Sequence, residues 1–203
     1  MVSQQLDLKQ LERAAWRSYH TDGLWDVFLG LVLLSAWVSS LAGSDLLHLV
    51  LVVASLAVFA LGKRFVTVPR MGLVEFGAER KAKNRKVAAL LFFVVLLGVA
   101  LYIVAVTGIE VLGWRPGRGA LTTLGMSLVI LVIFGGIAYW LDFPRMMLLG
   151  LAFAAAFAGS RLLDSRITFL VAGALALGWG LALLVSFVRR YPLPTAAGGH
   201  ERE

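Results

Sequence analysis

Cysteine is absent from all 203 residues. Disulfides, thiolate nucleophiles and cysteine metal sites are thereby excluded. Charge is scarce, at 15% of residues against 60% hydrophobic, with a mean hydropathy of +0.85. It is missing altogether from six long stretches, Val27–Ser44, Leu46–Gly62, Val87–Ile109, Leu121–Leu141, Met146–Ser160 and Ile167–Val188. Nucleotide-phosphate loops of the form G-x-x-x-x-G-K-[ST] do not occur, nor do H-E-x-x-H or G-x-S-x-G. No Ser and His are expected at a similar depth for nucleophilic catalysis. His48 is the one histidine near a span, and a metal site needs several convergent ligands. No cofactor and no metal are expected, and a non-enzymatic role is favoured over an enzymatic one.

The six apolar stretches carry the fold. A spanning helix needs ~20 mostly apolar residues. The hydrocarbon core admits only helices and closed barrels, and runs this uniformly apolar do not alternate as barrel strands do. The expected fold is all-α, a polytopic bundle of six transmembrane helices. Residues 1–23 form a cytoplasmic amphipathic helix and polar entry, residues 24–190 the membrane domain with a basic loop at 63–86, and residues 191–203 a flexible tail. No cleavable signal is recognisable, and the first span is expected to act as an uncleaved anchor. In the fifth stretch, Gly150, Ala154 and Ala158 recur at every fourth position, a spacing that lets helices approach closely. Asp142-Phe143-Pro144-Arg145 predicts a tight turn before it.

Orientation follows from where the cations lie. With both termini inside, fifteen of the nineteen Lys and Arg residues fall on the inner side, leaving Arg115, Arg118, Arg161 and Arg166 outside. That is the positive-inside pattern. The net charge of +7 is then explained by topology and by contact with an anionic leaflet. Nucleic acid is not an expected partner. The expected partners are the bilayer, anionic lipid headgroups and a further membrane protein.

Within this frame a few polar residues stand out. Lys9, Arg13 and Arg17 share one face of the N-terminal helix, opposite an apolar stripe. Asp22 is a candidate N-cap for span one, Gly23 lets the chain turn, and Asp26 follows within the first turn. Ser44 or Asp45 caps span two. The 63–86 loop reads as two β-rich runs around Pro69-Arg70-Met71-Gly72, a strand–turn–strand, followed by a charged helix from Ala78 to Lys86. Its cations Arg80, Lys81, Lys83, Arg85 and Lys86 are candidates for contact with anionic lipid or a partner. Asp22 and Asp26 are expected to recruit Arg70 into a polar cluster, with Arg145 as the fallback cation. Trp25, Trp140 and Trp114 fit an interfacial belt. Tyr102 and Trp179 lie in mid-span, where they line a cavity or fill space.

Two segments belong together, Trp16-x-x-Tyr19-x-x-Asp22-Gly23-Leu24-Trp25-Asp26 and Thr67-x-Pro69-Arg70-x-Gly72-x-Val74-x-Phe76. In this pairing the chain resembles a loose group of small bacterial multi-pass membrane proteins. These have an aromatic "DG" entry before span one and a Thr-x-Pro-Arg-x-Gly loop after span two. The resemblance covers about the first 90 residues. It implies a bacterial cell membrane and no particular activity. Three roles remain open: an accessory or structural component using the basic loop as a contact surface, a facilitator or transporter for a neutral or lipid-like solute, and an interfacial enzyme acting on lipid headgroups.

Overall fold

The computed structural model describes residues 21–71, 85–87, 89–90, 92–93, 96 and 120–192. Every regular element among them is helical. Five helices are long and apolar enough to cross a membrane, so the protein is membrane-embedded. The expected third span has only scattered helical positions among the described residues. The amphipathic helix expected at 4–19, Trp114 and the tail beyond residue 192 lie outside them. The chain forms two compact units, residues 1–75 with 173–203, and residues 76–172.

In the first unit, α1 (Leu24–Ala42) and α2 (Asp45–Gly62) form a tight helical hairpin. Its tip is local chemistry. Gly43 ends α1 with φ 64°, and Ser44 Oγ accepts the Leu47 N–H at 3.2 Å to start α2. At the other end Trp25 and Phe28 of α1 close on Phe59 of α2, with ring centroids 4.8 and 5.5 Å apart. Most of α2 is uncovered; Leu46, Leu49, Val53 and Leu56 are all exposed.

The structure departs from the expected loop directly after Gly62. Residues Lys63–Thr67 form a π-turn, in which the Val68 N–H reaches the Lys63 carbonyl, and α3 (Val68–Met71) follows. The apolar helix therefore runs on from Asp45 to Arg70. The first of the two expected strands is helix, and the second lies outside the described residues. The cause is Pro69. A proline inside an α-helix presses its ring on the carbonyl four residues back and removes a donor. The wider π-turn before it relieves that crowding, so the helix bends through the proline instead of stopping.

The last helix, α6 (Ile167–Arg190), contributes its larger part to the same unit. It meets α1 across glycines. A Cβ on Gly30 would stand 2.6 Å from the Leu177 backbone N, and one on Gly180 would stand 2.6 Å from the Val27 backbone N. Nothing larger than hydrogen fits at either place, so the two backbones touch. Gly23 and Gly180 meet at one end, Gly30 and Gly173 seven residues further along each helix. The two helices are therefore antiparallel.

The second unit is built on α4 (Ala120–Trp140) and α5 (Arg145–Leu162). The expected turn joins them, with Asp142 at φ 52° and Phe143 buried. Gly150 lies against the Phe134 ring, and Phe134 and Phe153 pack with centroids 5.2 Å apart. Ala154 is buried and Ala158 half-buried. Thr123 and Ser127 are buried on α4, and the Ser127 hydroxyl lies 2.9 Å from the Thr123 carbonyl. Gly159 approaches Thr168, whose hydroxyl lies 3.0 Å from the Ala156 carbonyl, which ties α5 to the start of α6.

Candidate functional site

The polar centre of the first unit is Asp22. Its side chain has no exposed surface. Gly23, at φ 82°, occupies the N-cap position of α1, one residue later than expected. Asp22 nevertheless serves the cap, because its Oδ1 accepts the Leu24 N–H at 3.1 Å. Its Oδ2 accepts from Lys63 Nζ at 2.7 Å and from Thr67 Oγ1 at 2.6 Å. Both partners are buried, and both come from the π-turn. Lys63 also lies 5.8 Å from the Phe59 ring centroid. One carboxylate thus ties the entry of α1 to the far end of α2. An ionised carboxylate offers about four acceptor positions, and three are taken by donors of this chain.

Asp26 is 2% exposed, one turn into α1, where it lies against Gly180 of the last helix. The expected cation for these acids is Arg70. The structure gives the Asp22 salt bridge to Lys63 instead. The physical reason is the continued helix. Lys63 and Thr67 are four residues apart and share the face turned toward α1. Arg70 lies further on, and its Nη1 donates to the Val66 carbonyl at 3.0 Å. Its Nε is buried and meets no acceptor among the described residues. Arg145 belongs to the second unit, where its guanidinium lies 5.4 Å from the Phe143 ring centroid.

The remaining expected positions divide in the same way. Arg85 and Lys86 are helical and exposed, while Arg80, Lys81 and Lys83 lie outside the described residues, as does Tyr102. Trp179 is 64% exposed on α6. Its flanking glycine Gly178 has open space around it, whereas Gly180 is the one pressed on α1. The face of α6 that packs on α1 is the glycine face, and this turns the indole outward.

A serine and a histidine do meet, contrary to expectation. Ser35 Oγ and His48 Nδ1 are 3.1 Å apart across the α1–α2 hairpin. The Ser35 hydroxyl also lies 2.7 Å from the Val32 carbonyl of its own helix. The pair is a hydrogen bond that joins helices.

Lys63 and Thr67 are the residues that sequence reasoning missed. Their signal was a four-residue spacing directly after an apolar run. It was overridden by β-branched residues and a proline, which read as strand and turn. No family model matches the chain, and comparisons with curated proteins and with solved structures also give no match.

Proposed function

We propose that this protein is a non-enzymatic accessory or structural component of a bacterial cell membrane, with six spans, both termini inside and a basic inner contact surface. The observation that carries the role is the state of Asp22. Its carboxylate is taken up by Leu24, Lys63 and Thr67. A buried acid that takes three donors, from the start of α1 and from the π-turn after α2, braces two helices. The span count is supported by parity. Antiparallel contact of α1 with α6 is compatible with an even number of crossings; five described helices are long and apolar enough to cross, and Val87–Ile109 is a further uncharged stretch in the sequence. The inner side is taken from the basic residues, the contact surface from Arg80, Lys81, Lys83, Arg85 and Lys86.

The test is affinity purification from whole membranes. The chain with all five cations changed to Gln is compared with the wild type, each at low and high salt. The expected result is a companion protein that the wild type retains at low salt and the variant loses. Passage of a neutral solute through vesicles containing the purified protein would instead identify a facilitator and overturn the accessory role.

A further inference from the structure

We infer that the exposed face of α4 is the seat of this chain's own apolar stretch Val87–Ile109, which runs antiparallel to it with Leu101 against Gly125. The first observation is a bare face. The side of α4 turned toward α5 carries Thr123, Ser127 and Ile137, all buried. On the opposite side Leu124, Leu128 and Val132 are exposed, and Gly125 has open space around it. At about 100° per residue, Gly125, Val129, Val132 and Gly136 fall on one stripe of that side. A glycine at each end of the stripe leaves room for a close neighbour.

The second observation is a foothold. A Cβ on Gly136 would stand 3.5 Å from Leu90 Cδ2, so the start of the apolar stretch already touches one end of the stripe. Both segments belong to the second unit. Residues 85–87, 89–90, 92–93 and 96 are helical. Among them Val87 is buried and Leu90 half-buried, while Arg85, Lys86, Ala89, Phe92, Phe93 and Leu96 are exposed. Val87 and Leu90 share one face of a helix, and the exposed positions all lie on the other. In the sequence, the face of Val87 and Leu90 continues through Val94, Gly98, Leu101 and Ala105.

The third is reach. Ile109 is nineteen residues beyond Leu90, and Ala120 is sixteen residues before Gly136. If a helical stretch continued past the end of α4, Ile109 and Ala120 would stand about 52 Å apart, at ~1.5 Å per residue. The eleven links between them reach at most about 40 Å. The stretch must therefore fold back along α4. Two apolar helices that cross one bilayer then lie side by side. Equal steps from the Leu90–Gly136 contact bring Val94 to Val132 and Leu101 to Gly125. This seat presupposes the six-span reading, in which Val87–Ile109 crosses.

The experiment places paired cysteines in the full chain, which has none of its own, and oxidises them in membranes with copper phenanthroline. Trypsin cuts at Arg118, between the two segments, so a disulfide is read as two peptides joined in one mass. Leu101→Cys with Gly125→Cys, and Val94→Cys with Val132→Cys, are expected to link. Ile103→Cys with Gly125→Cys is expected to lose the link, because Ile103 lies on the opposite face and a disulfide needs Cα atoms within about 7 Å. The valine pair keeps the test decisive if a side chain at Gly125 disturbs the seat. Labelling of a single cysteine at Gly117 from the outer side reports separately that the stretch crosses. With that label outside and neither expected pair joined, the seat is overturned and the six-span reading stands; with it inside, both fall. Linking of the Ile103 pair as readily as the Leu101 pair would also overturn the seat. So would a disulfide between two chains carrying Gly125→Cys alone, which would give the face to a second copy.

Discussion

Lys63 Nζ lies 2.7 Å from the carboxylate of Asp22, forty-one residues earlier in the chain, and both side chains are almost wholly buried. The pair joins the residue just before the first apolar helix to the π-turn that ends the main run of the second. A buried ion pair does not by itself stabilise more than a well-packed apolar pair would, but breaking one side of it strands a charge.

Asp22→Asn is therefore expected to be strongly destabilising. It leaves Lys63 buried without its counter-charge, at a cost of about 3–5 kcal/mol. Adding Lys63→Met to Asp22→Asn should recover much of that loss, because neither charge then remains. Thermal unfolding of the purified chain in detergent measures both. If the double variant is no better than Asp22→Asn alone, the charge pairing is not what holds this corner.

The glycines of α1 and α6 should separate by environment. Gly30→Ala brings a methyl 2.6 Å from backbone at Leu177, and overpacking of this kind costs about 1–3 kcal/mol. Gly178→Ala meets nothing within 4 Å. It should be neutral or stabilising, up to about 1 kcal/mol, because alanine favours the helix. The same unfolding measurement ranks them. A Gly30→Ala chain as stable as the wild type would mean that α1 and α6 do not touch as described.

Topology is open to direct labelling, since the chain has no native cysteine. Single cysteines at Ala82 and Gly198 should react only from the inner side, and one at the Gly43 hairpin tip only from the outer side. An impermeant maleimide on intact cells and on inverted vesicles distinguishes them. Outer-side labelling at Ala82 or Gly198 would refute the arrangement with both termini inside.

Much of each unit is legible in the sequence. Uncharged runs of this length must be helices, because a backbone in hydrocarbon has to satisfy its own hydrogen bonds. Gly43-Ser44 marks the hairpin tip through one positive φ and one hydroxyl cap. Asp142-Phe143-Pro144-Arg145 marks the turn before α5 for similarly local reasons. The importance of Asp22 and its place at the entry of α1 were also legible, since an acid there meets unpaired helix N–H groups.

The partner of Asp22 was not legible in the same way. Local propensity at residues 63–69 favours strand and turn, through Phe65, Val66, Thr67, Val68 and Pro69. The tertiary structure keeps the segment helical, because a π-turn absorbs the proline and a buried carboxylate rewards two donors presented four residues apart. That reward lies forty-one residues away in the chain and exists only once α1 and α2 are side by side. The outward turn of Trp179 has the same origin. The sequence by itself determined five apolar helices and where most of them end, through hydrophobicity and backbone hydrogen bonding. The tertiary structure decided which cation meets Asp22 and which glycines are pressed together, because those depend on helix faces that only packing selects.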